Sequence, residues 1–398
     1  MTGATAERPG RSNAGGPVLA LAIGAFAIGV TEFAPMGMLP GIANDLKVSI
    51  PTAGLLISAY AIGVLAGAPL MTLATARAPR RLLLMGLMAI FTLGNLLSAL
   101  ADSYTMLLLA RVVTSLNHGA FFGVGSVVAA NVVPPDRRAA AVSKMFLGLT
   151  IAAIGGVPLA TWVGNVLGWR TAFLGISGLG IVAIAALRIA LPPLPAEAGG
   201  NLLAEIRVLG RRPVLSAMLL TVLGSSAMFT VFTYIAPILR DEAHASAAFI
   251  SAMLVLFGIG MTFGNLWGGR AADRGLNRAL VATLSAVVAV LVAFAVAMRS
   301  PFLAALVIPL WGFACFAIIP PLQMQVMEAA TEAPNLASAM NIGAFNLGNA
   351  VGAALGGAVI SAGLGYPAVS LAGAGMAAAS LAGVLILHAR NAPVEAAA

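Results

Sequence analysis

Twelve apolar runs, each long enough to cross a bilayer, follow one another along this chain, and only three charged side chains interrupt them. A helix rises 1.5 Å per residue, so about 20 apolar residues span the roughly 30 Å of hydrocarbon. The runs are 18–39, 52–74, 82–101, 104–133, 145–167, 171–191, 213–237, 247–267, 279–298, 301–326, 337–363 and 367–388. Glu32, Arg111 and Arg188 are the interrupting charges, the last near a run end where its head can reach water. Lipid offers no partner to a backbone N–H or C=O, and a helix pairs these groups within its own segment. The expected fold class is therefore an all-α membrane protein of twelve transmembrane helices.

Composition closes the soluble alternative. Apolar residues make up 60% and charged residues 9%, against about 25% charged in ordinary globular domains. The 45 Gly and 22 Pro are high for soluble helices but tolerated in membrane spans. The net charge of +8 is spread over short loops rather than gathered in a stripe, which argues against a nucleic-acid partner. Cys315 is the only cysteine and sits inside an apolar run, so no intrachain disulfide, metal cluster or other cofactor is implied. The run after the polar first 17 residues is too long for a signal-peptide core and is read as a retained first helix.

The loops set orientation and division. With the N-terminus inside, sixteen of the 21 Lys and Arg fall in inner loops, and only Lys47, Arg170, Arg240 and Arg299 fall outside. Positive residues prefer the cytoplasmic side, so both termini are expected there. The longest connection, 192–212, holds a Pro-rich stretch, a Gly pair and an amphipathic segment, Leu202–Leu209. It divides a six-helix bundle at 18–191 from another at 213–388, with cytoplasmic tails at 1–17 and 389–398. An internal repeat supports the division: Tyr60–Gly67 matches Phe257–Gly264, and at the same offset Arg77 and Arg81 fall on Arg274 and Arg278. Parallel repeats with a site at their interface are a transporter signature.

Charges held in hydrocarbon are costly and therefore candidates for function. Counting from the run ends places Glu32 in helix 1 and Arg111 in helix 4 at one depth, about 10 Å below the outer surface, as a plausible pair. His118 lies seven residues beyond Arg111 on the same helix face, near the midplane. The three form a candidate proton relay. The plainer alternative is a salt bridge that only joins helices 1 and 4, with His118 merely hydrogen-bonded. The second half has no intramembrane charge; its aromatic and amide groups suit a neutral or lipophilic solute. The candidate substrate contacts are Asn117, Phe121, Phe229, Phe232, Tyr234, Trp311, Asn341 and Asn346. Glycines spaced by four, such as Gly63 and Gly67 or Gly260 and Gly264, read as close helix packing.

Three motifs carry a family resemblance over essentially the whole chain. The loop Thr72–Arg81 resembles the signature loop of the major facilitator superfamily, with Arg77, Arg80 and Arg81 kept and Thr72, Ala76 and Pro79 at the positions of its Gly, Asp and second Gly. The equivalent loop in the second half retains Gly269, Asp273, Arg274 and Arg278. Helix 4 resembles the family's arginine motif at Arg111. Helix 5, with Gly148, Gly155, Gly156 and Pro158, resembles the motif of its antiporter branch. The Thr31–Glu32–Phe33 element and its surroundings are similar to arabinose and sugar efflux permeases and to exporters of the chloramphenicol-resistance type. The resemblance implies two pseudo-symmetric six-helix bundles working by alternating access. It implies antiport of a small solute, a sugar or a drug, against protons, with no cofactor beyond the proton gradient. It further implies a bacterial inner-membrane location, a monomer, and gating roles for Arg77, Arg81, Asp273, Arg274, Arg278, Gly155, Gly156 and Pro158. An uncoupled facilitator and a transporter-like receptor are the alternatives. An enzyme is disfavoured, because three scattered His and one Cys supply no nucleophile–base pair.

Overall fold

The computed structural model describes residues 15–48, 50–75, 77–193 and 202–395. The polar tail at 1–14, with Arg8 and Arg11, the Ala76 position, linker residues 194–201 and the last three residues lie outside the described residues.

Every apolar run is helical, as a solvent without hydrogen-bond partners requires. The first half holds α1 (Gly15–Asp45), α2 (Ile50–Ala74), α3 (Arg80–Ala99), α4 (Tyr104–Asn131), α5 (Arg138–Ile151), α6 (Val157–Val166) and α7 (Trp169–Ala190). The amphipathic linker segment is α8 (Leu202–Leu209). The second half holds α9 (Arg212–Phe232), α10 (Ile235–Glu242), α11 (Ala247–Arg274), α12 (Leu276–Ala297), α13 (Pro301–Ala317), α14 (Ile319–Ala329), α15 (Pro334–Ser361) and α16 (Tyr366–Glu395). Among the described residues, 12 helices are long and apolar enough to cross a membrane, with α5–α6 and α13–α14 each counting as one.

The boundaries differ from expectation where local chemistry intervenes. Helix 1 does not stop near Met38 but runs on to Asp45, whose carboxylate meets Arg170 and Trp169 at the start of α7. Glu32 is therefore about 20 Å from the helix end, near the middle of α1. Run 213–237 splits between α9 and α10 at Tyr234, whose N–H bonds Val231 in a tighter turn and whose hydroxyl is held by the Ala353 carbonyl (2.8 Å). Span 5 begins at Pro135, ten residues early, because Arg138–Lys144 continues the helix with the charged Arg138 and Lys144 side chains outward. Between α5 and α6 the chain widens into a π turn, Ala152–Gly156, just before Pro158, which has no N–H for the helical ladder. Ser103, Ser246 and Ser300 cap α4, α11 and α13.

Two buried cores correspond to the two halves. Leu21, Ile28, Phe91 and Phe173 belong to the first; Phe257, Leu284, Phe294 and Trp311 belong to the second. Large apolar side chains such as Ile189, Val296 and Phe302 point outward and are exposed, as a lipid-facing surface demands. The halves meet where α5 begins and α11 ends. There Gly269 lets α11 lie on α5: a Cβ would sit 2.5 Å from the Ser143 side chain and 2.8 Å from the Ala139 carbonyl. Gly123 of α4 likewise abuts Ala339 of α15, and a Cβ would fall 2.6 Å from its backbone.

Candidate functional site

A cavity with about 100 Å³ of water-accessible space lies between the halves. From the first half it is lined by Glu32 and Phe33 of α1, His118 and Phe122 of α4, and Phe146 and Leu149 of α5. The second half contributes Ser225, Met228 and Phe229 of α9, the stretch from Cys315 to Ile319, and Phe345, Asn346 and Asn349 of α15. The walls are mostly apolar, and among the described lining residues Glu32 is the only carboxylate. Its carboxylate forms no ion pair within 4.0 Å and no hydrogen bond among the described residues, so it faces the cavity bare.

Arg111 forms no ion pair with Glu32 within 4.0 Å, although its charge is close enough to act on that carboxyl. It is 1% exposed, donates from Nη1 to the Thr31 hydroxyl (3.1 Å) and lies over the Tyr60 ring, 4.2 Å from its centroid. Thr31 in turn donates to Asn95 Oδ1 of α3 (2.6 Å). The Tyr60 hydroxyl and His118 Nδ1 are 3.1 Å apart. A buried polar chain thus runs from Asn95 through Thr31, Arg111 and Tyr60 to His118, and His118 opens it onto the cavity. Arg111 Nε and Nη2 have no hydrogen-bond partner, as do Asn117 Oδ1 and Asn341 Oδ1. A buried guanidinium with two unused donors has capacity to bind a water or a moving carboxylate.

The sequence candidates are distributed unevenly. Phe229 and Asn346 line the cavity. Phe232 and Trp311 do not, because they pack against Phe257 in the second half's core (centroids 4.9 Å and 4.7 Å apart). Tyr234 is held by Ala353 at the end of α9. Phe121 packs on Gly24, and Asn117 turns back to the Thr114 carbonyl. Asn341 donates to Gln323 Oε1 (2.7 Å), whose amide reaches Ser338; the Ser338 hydroxyl bonds the Gly123 carbonyl across the halves (3.0 Å). It belongs to a polar seam between bundles, not to the cavity wall.

At the end where the halves touch, Asp273 of α11 accepts from the N–H groups of Ala139 (2.8 Å) and Ala140 (2.9 Å) at the start of α5. Those donors have no carbonyl partner within the helix, and the positive helix end favours a carboxylate. Ser143 and Asn265 exchange two further bonds one turn on. Arg81 donates to the Arg188 carbonyl within the first half, while Arg77, Arg274 and Arg278 are exposed at the same end. Gly156 seats the π turn on α1 beside Val30 and Phe26; Gly155 and Pro158 are exposed.

Tyr60, Thr31 and Asn95 escaped sequence reasoning. Tyr60 opens the repeated Tyr60–Gly67 segment and Thr31 adjoins Glu32, but neither neutral group announces a partner on another helix. Among the described residues no cluster of three His, Cys, Asp or Glu is placed to hold a metal.

The family model described as Major Facilitator Superfamily matches residues 21–343. The inner membrane transport protein YdhP of Escherichia coli K12 is 55% identical over 350 residues, covering 88% of this chain and 90% of that protein. The chloramphenicol resistance protein of Streptomyces lividans is 33% identical over 340 residues, covering 84% and 87%. Among solved structures, the proton:xylose symporter XylE superposes with a TM-score of 0.76 at 15% identity, over 93% of this chain and 94% of that one.

Proposed function

The chain belongs to the Major Facilitator Superfamily, and from that premise we propose that this multi-pass membrane transporter is a proton-coupled exporter of a small lipophilic solute. The observation that carries the reading is Glu32: a carboxylate near the middle of α1, in no ion pair within 4.0 Å among the described residues, facing an apolar cavity between two bundles. An ionised carboxylate there is costly when dry and tolerable when water or a cationic group reaches it. A solute that offers Glu32 a hydrogen-bond donor favours the ionised form; a proton arriving from outside removes that acceptor and favours solute departure. Tyr60 and Arg111 supply the nearby donor and the fixed positive charge, and His118 joins them to the cavity. This is antiport by competition for one site.

The apolar walls favour a lipophilic solute over a sugar, whose hydroxyls would need more partners than Ser225, Asn346 and Asn349 offer. The likeness to a chloramphenicol resistance protein supports a drug-like solute. Asp273, Gly269 and Ser143 would act as the latch that parts when the halves rock. The excess of Lys and Arg at the latch end supports a cytoplasmic position for it and for both chain ends, with 18–191 and 213–388 as the moving bundles. The protein is taken to work as a monomer, without a cofactor, in the bacterial inner membrane. Efflux in cells lacking their own pumps, scored over lipophilic drugs and arabinose, followed by pH-gradient-driven flux in proteoliposomes, tests the reading. Native protein should move a lipophilic solute only with the gradient imposed, and Glu32→Gln should lose the dependence. Gradient-independent flux in both would instead support a facilitator.

A further inference from the structure

A second, larger hollow lies outside the transport cavity. It is a groove of about 1390 Å³ bounded by α1, α5 and α11 and roofed by the loop Val132–Pro134. On α5 the central cavity takes Phe146 and Leu149, while the groove takes Lys144, Leu147 and Ile151. At 100° per residue those sets face opposite ways, so the groove opens to the membrane rather than to the solute path. Leu19 and Ile151, which line it, are 62% and 48% exposed.

Its chemistry is polarised along the bilayer normal. The latch end carries Arg137, Lys144 and Arg270 against a single acid, Asp136. Asp136 is 3.7 Å from Arg137; Lys144 and Arg270 form no ion pair among the described residues. Beyond them the lining is apolar down to Phe26 and Ile151, seven residues and about 10 Å deeper than Lys144. Cations at headgroup level over an apolar slot match one class of molecule, an anionic amphiphile with acyl chains. Lys144 comes from the first bundle and Arg270 from the second.

We propose that this groove holds an anionic phospholipid, its phosphate between Lys144 and Arg270 and its chains along Leu19, Phe26 and Ile151, bridging the two bundles beside the Asp273 latch. The groove exists only while α5 and α11 lie side by side, so the lipid favours the latched state. Native mass spectrometry of the full chain, released from nanodiscs of phosphatidylcholine with or without phosphatidylglycerol, reads the bound lipid by mass. The expected result is one phosphatidylglycerol retained against excess phosphatidylcholine. Retention should fall at least ten-fold in Lys144→Gln/Arg270→Gln and stay unchanged in the charge-matched control Lys47→Gln/Arg299→Gln at the other end. Inorganic phosphate should not displace it. Ile151→Trp, which fills the slot and leaves the cations, should lose the lipid too and covers the case of a misfolded double variant. Equal retention of phosphatidylcholine, equal loss in the control, displacement by phosphate, or full retention in both groove variants overturns the proposal.

Discussion

Asp273 caps a helix of the other bundle: its two carboxylate oxygens take the N–H groups of Ala139 and Ala140 at 2.8 Å and 2.9 Å. Nothing else in the helix can accept those protons, so the bond couples the position of α11 to the order of α5's first turn. Removing a capping acceptor costs about 0.5–2 kcal/mol, equivalent to roughly 2- to 30-fold in a local equilibrium. Asp273→Ala should therefore speed hydrogen exchange at Ala139 and Ala140 by that factor, with Asp273→Asn intermediate. Unchanged exchange would mean that the latch contributes nothing to the state described.

Tyr60 holds two partners at once, Arg111 over its ring and His118 at its hydroxyl. Tyr60→Phe keeps the ring and removes only the hydroxyl, a change of about 1 kcal/mol in hydrogen bonding. Thermal stability should move little. Gradient-driven flux should fall several-fold and its pH profile should shift, because His118 loses the group that orients it. A lower rate with an unshifted profile would assign Tyr60 a purely structural role.

Glu32, Arg111 and His118 were legible because charge or imidazole in an apolar run stands out against its neighbours. Their partnership was not. Helix periodicity gives a face and a rough depth, but whether Arg111 turns to Glu32 or to Thr31 depends on how α1, α2 and α4 pack, which no single run encodes. Phe229 and Phe232 illustrate the same limit: three residues apart on one helix, one lines the cavity and the other joins a stack on Phe257. The twelve-span architecture was readable throughout, since length and apolarity decide it. The break at Tyr234 was not, because it rests on a contact with Ala353 of another helix, and Pro158 alone does not say that the chain widens into a π turn before it.

The glycine pair at the π turn separates packing from conformation. A Cβ on Gly156 would lie 2.5 Å from Val30 Cγ2 and 2.9 Å from Phe26 Cζ, whereas one on Gly155 meets nothing within 4 Å. Overpacking costs about 1–3 kcal/mol, while Gly→Ala at an unhindered site gains about 0.4–1 kcal/mol by restricting the unfolded chain. Thermal melts should show Gly156→Ala lowered and Gly155→Ala unchanged or raised. The reverse order would mean that α1 does not abut the turn.

Asp45 gives a pH prediction outside the hydrocarbon. The hydrogen bond from Arg170, with a second from Trp169 Nε1 (3.2 Å), holds its carboxyl below the ordinary value of 3.8 despite some desolvation. A carboxyl depressed in the folded state stabilises above its unfolded pKa, and that contribution is lost as pH falls through the folded value. Both side chains are over a third exposed, 40% for Arg170 and 46% for Asp45, so screening limits the pair to about 1 kcal/mol or less. Native protein should melt slightly above Asp45→Asn at neutral pH, and the gap should close below about pH 4. A gap that persists into stronger acid would trace to packing instead of charge.

Cys315, the chain's only thiol, lines the cavity between the bundles and is 2% exposed. N-ethylmaleimide therefore reports on one place, and mass spectrometry counts one adduct. Alkylation needs access to the sulfur, and a thiol 2% exposed in a mostly apolar cavity wall offers little, so native protein should react at least ten-fold more slowly than denatured protein. A transported solute sitting against Phe229 should slow the reaction further. Phe229→Ala, which widens the wall, should accelerate it. If a solute that the protein demonstrably moves leaves the rate unaltered, the solute path does not pass Cys315, and the cavity between the bundles is not the binding site.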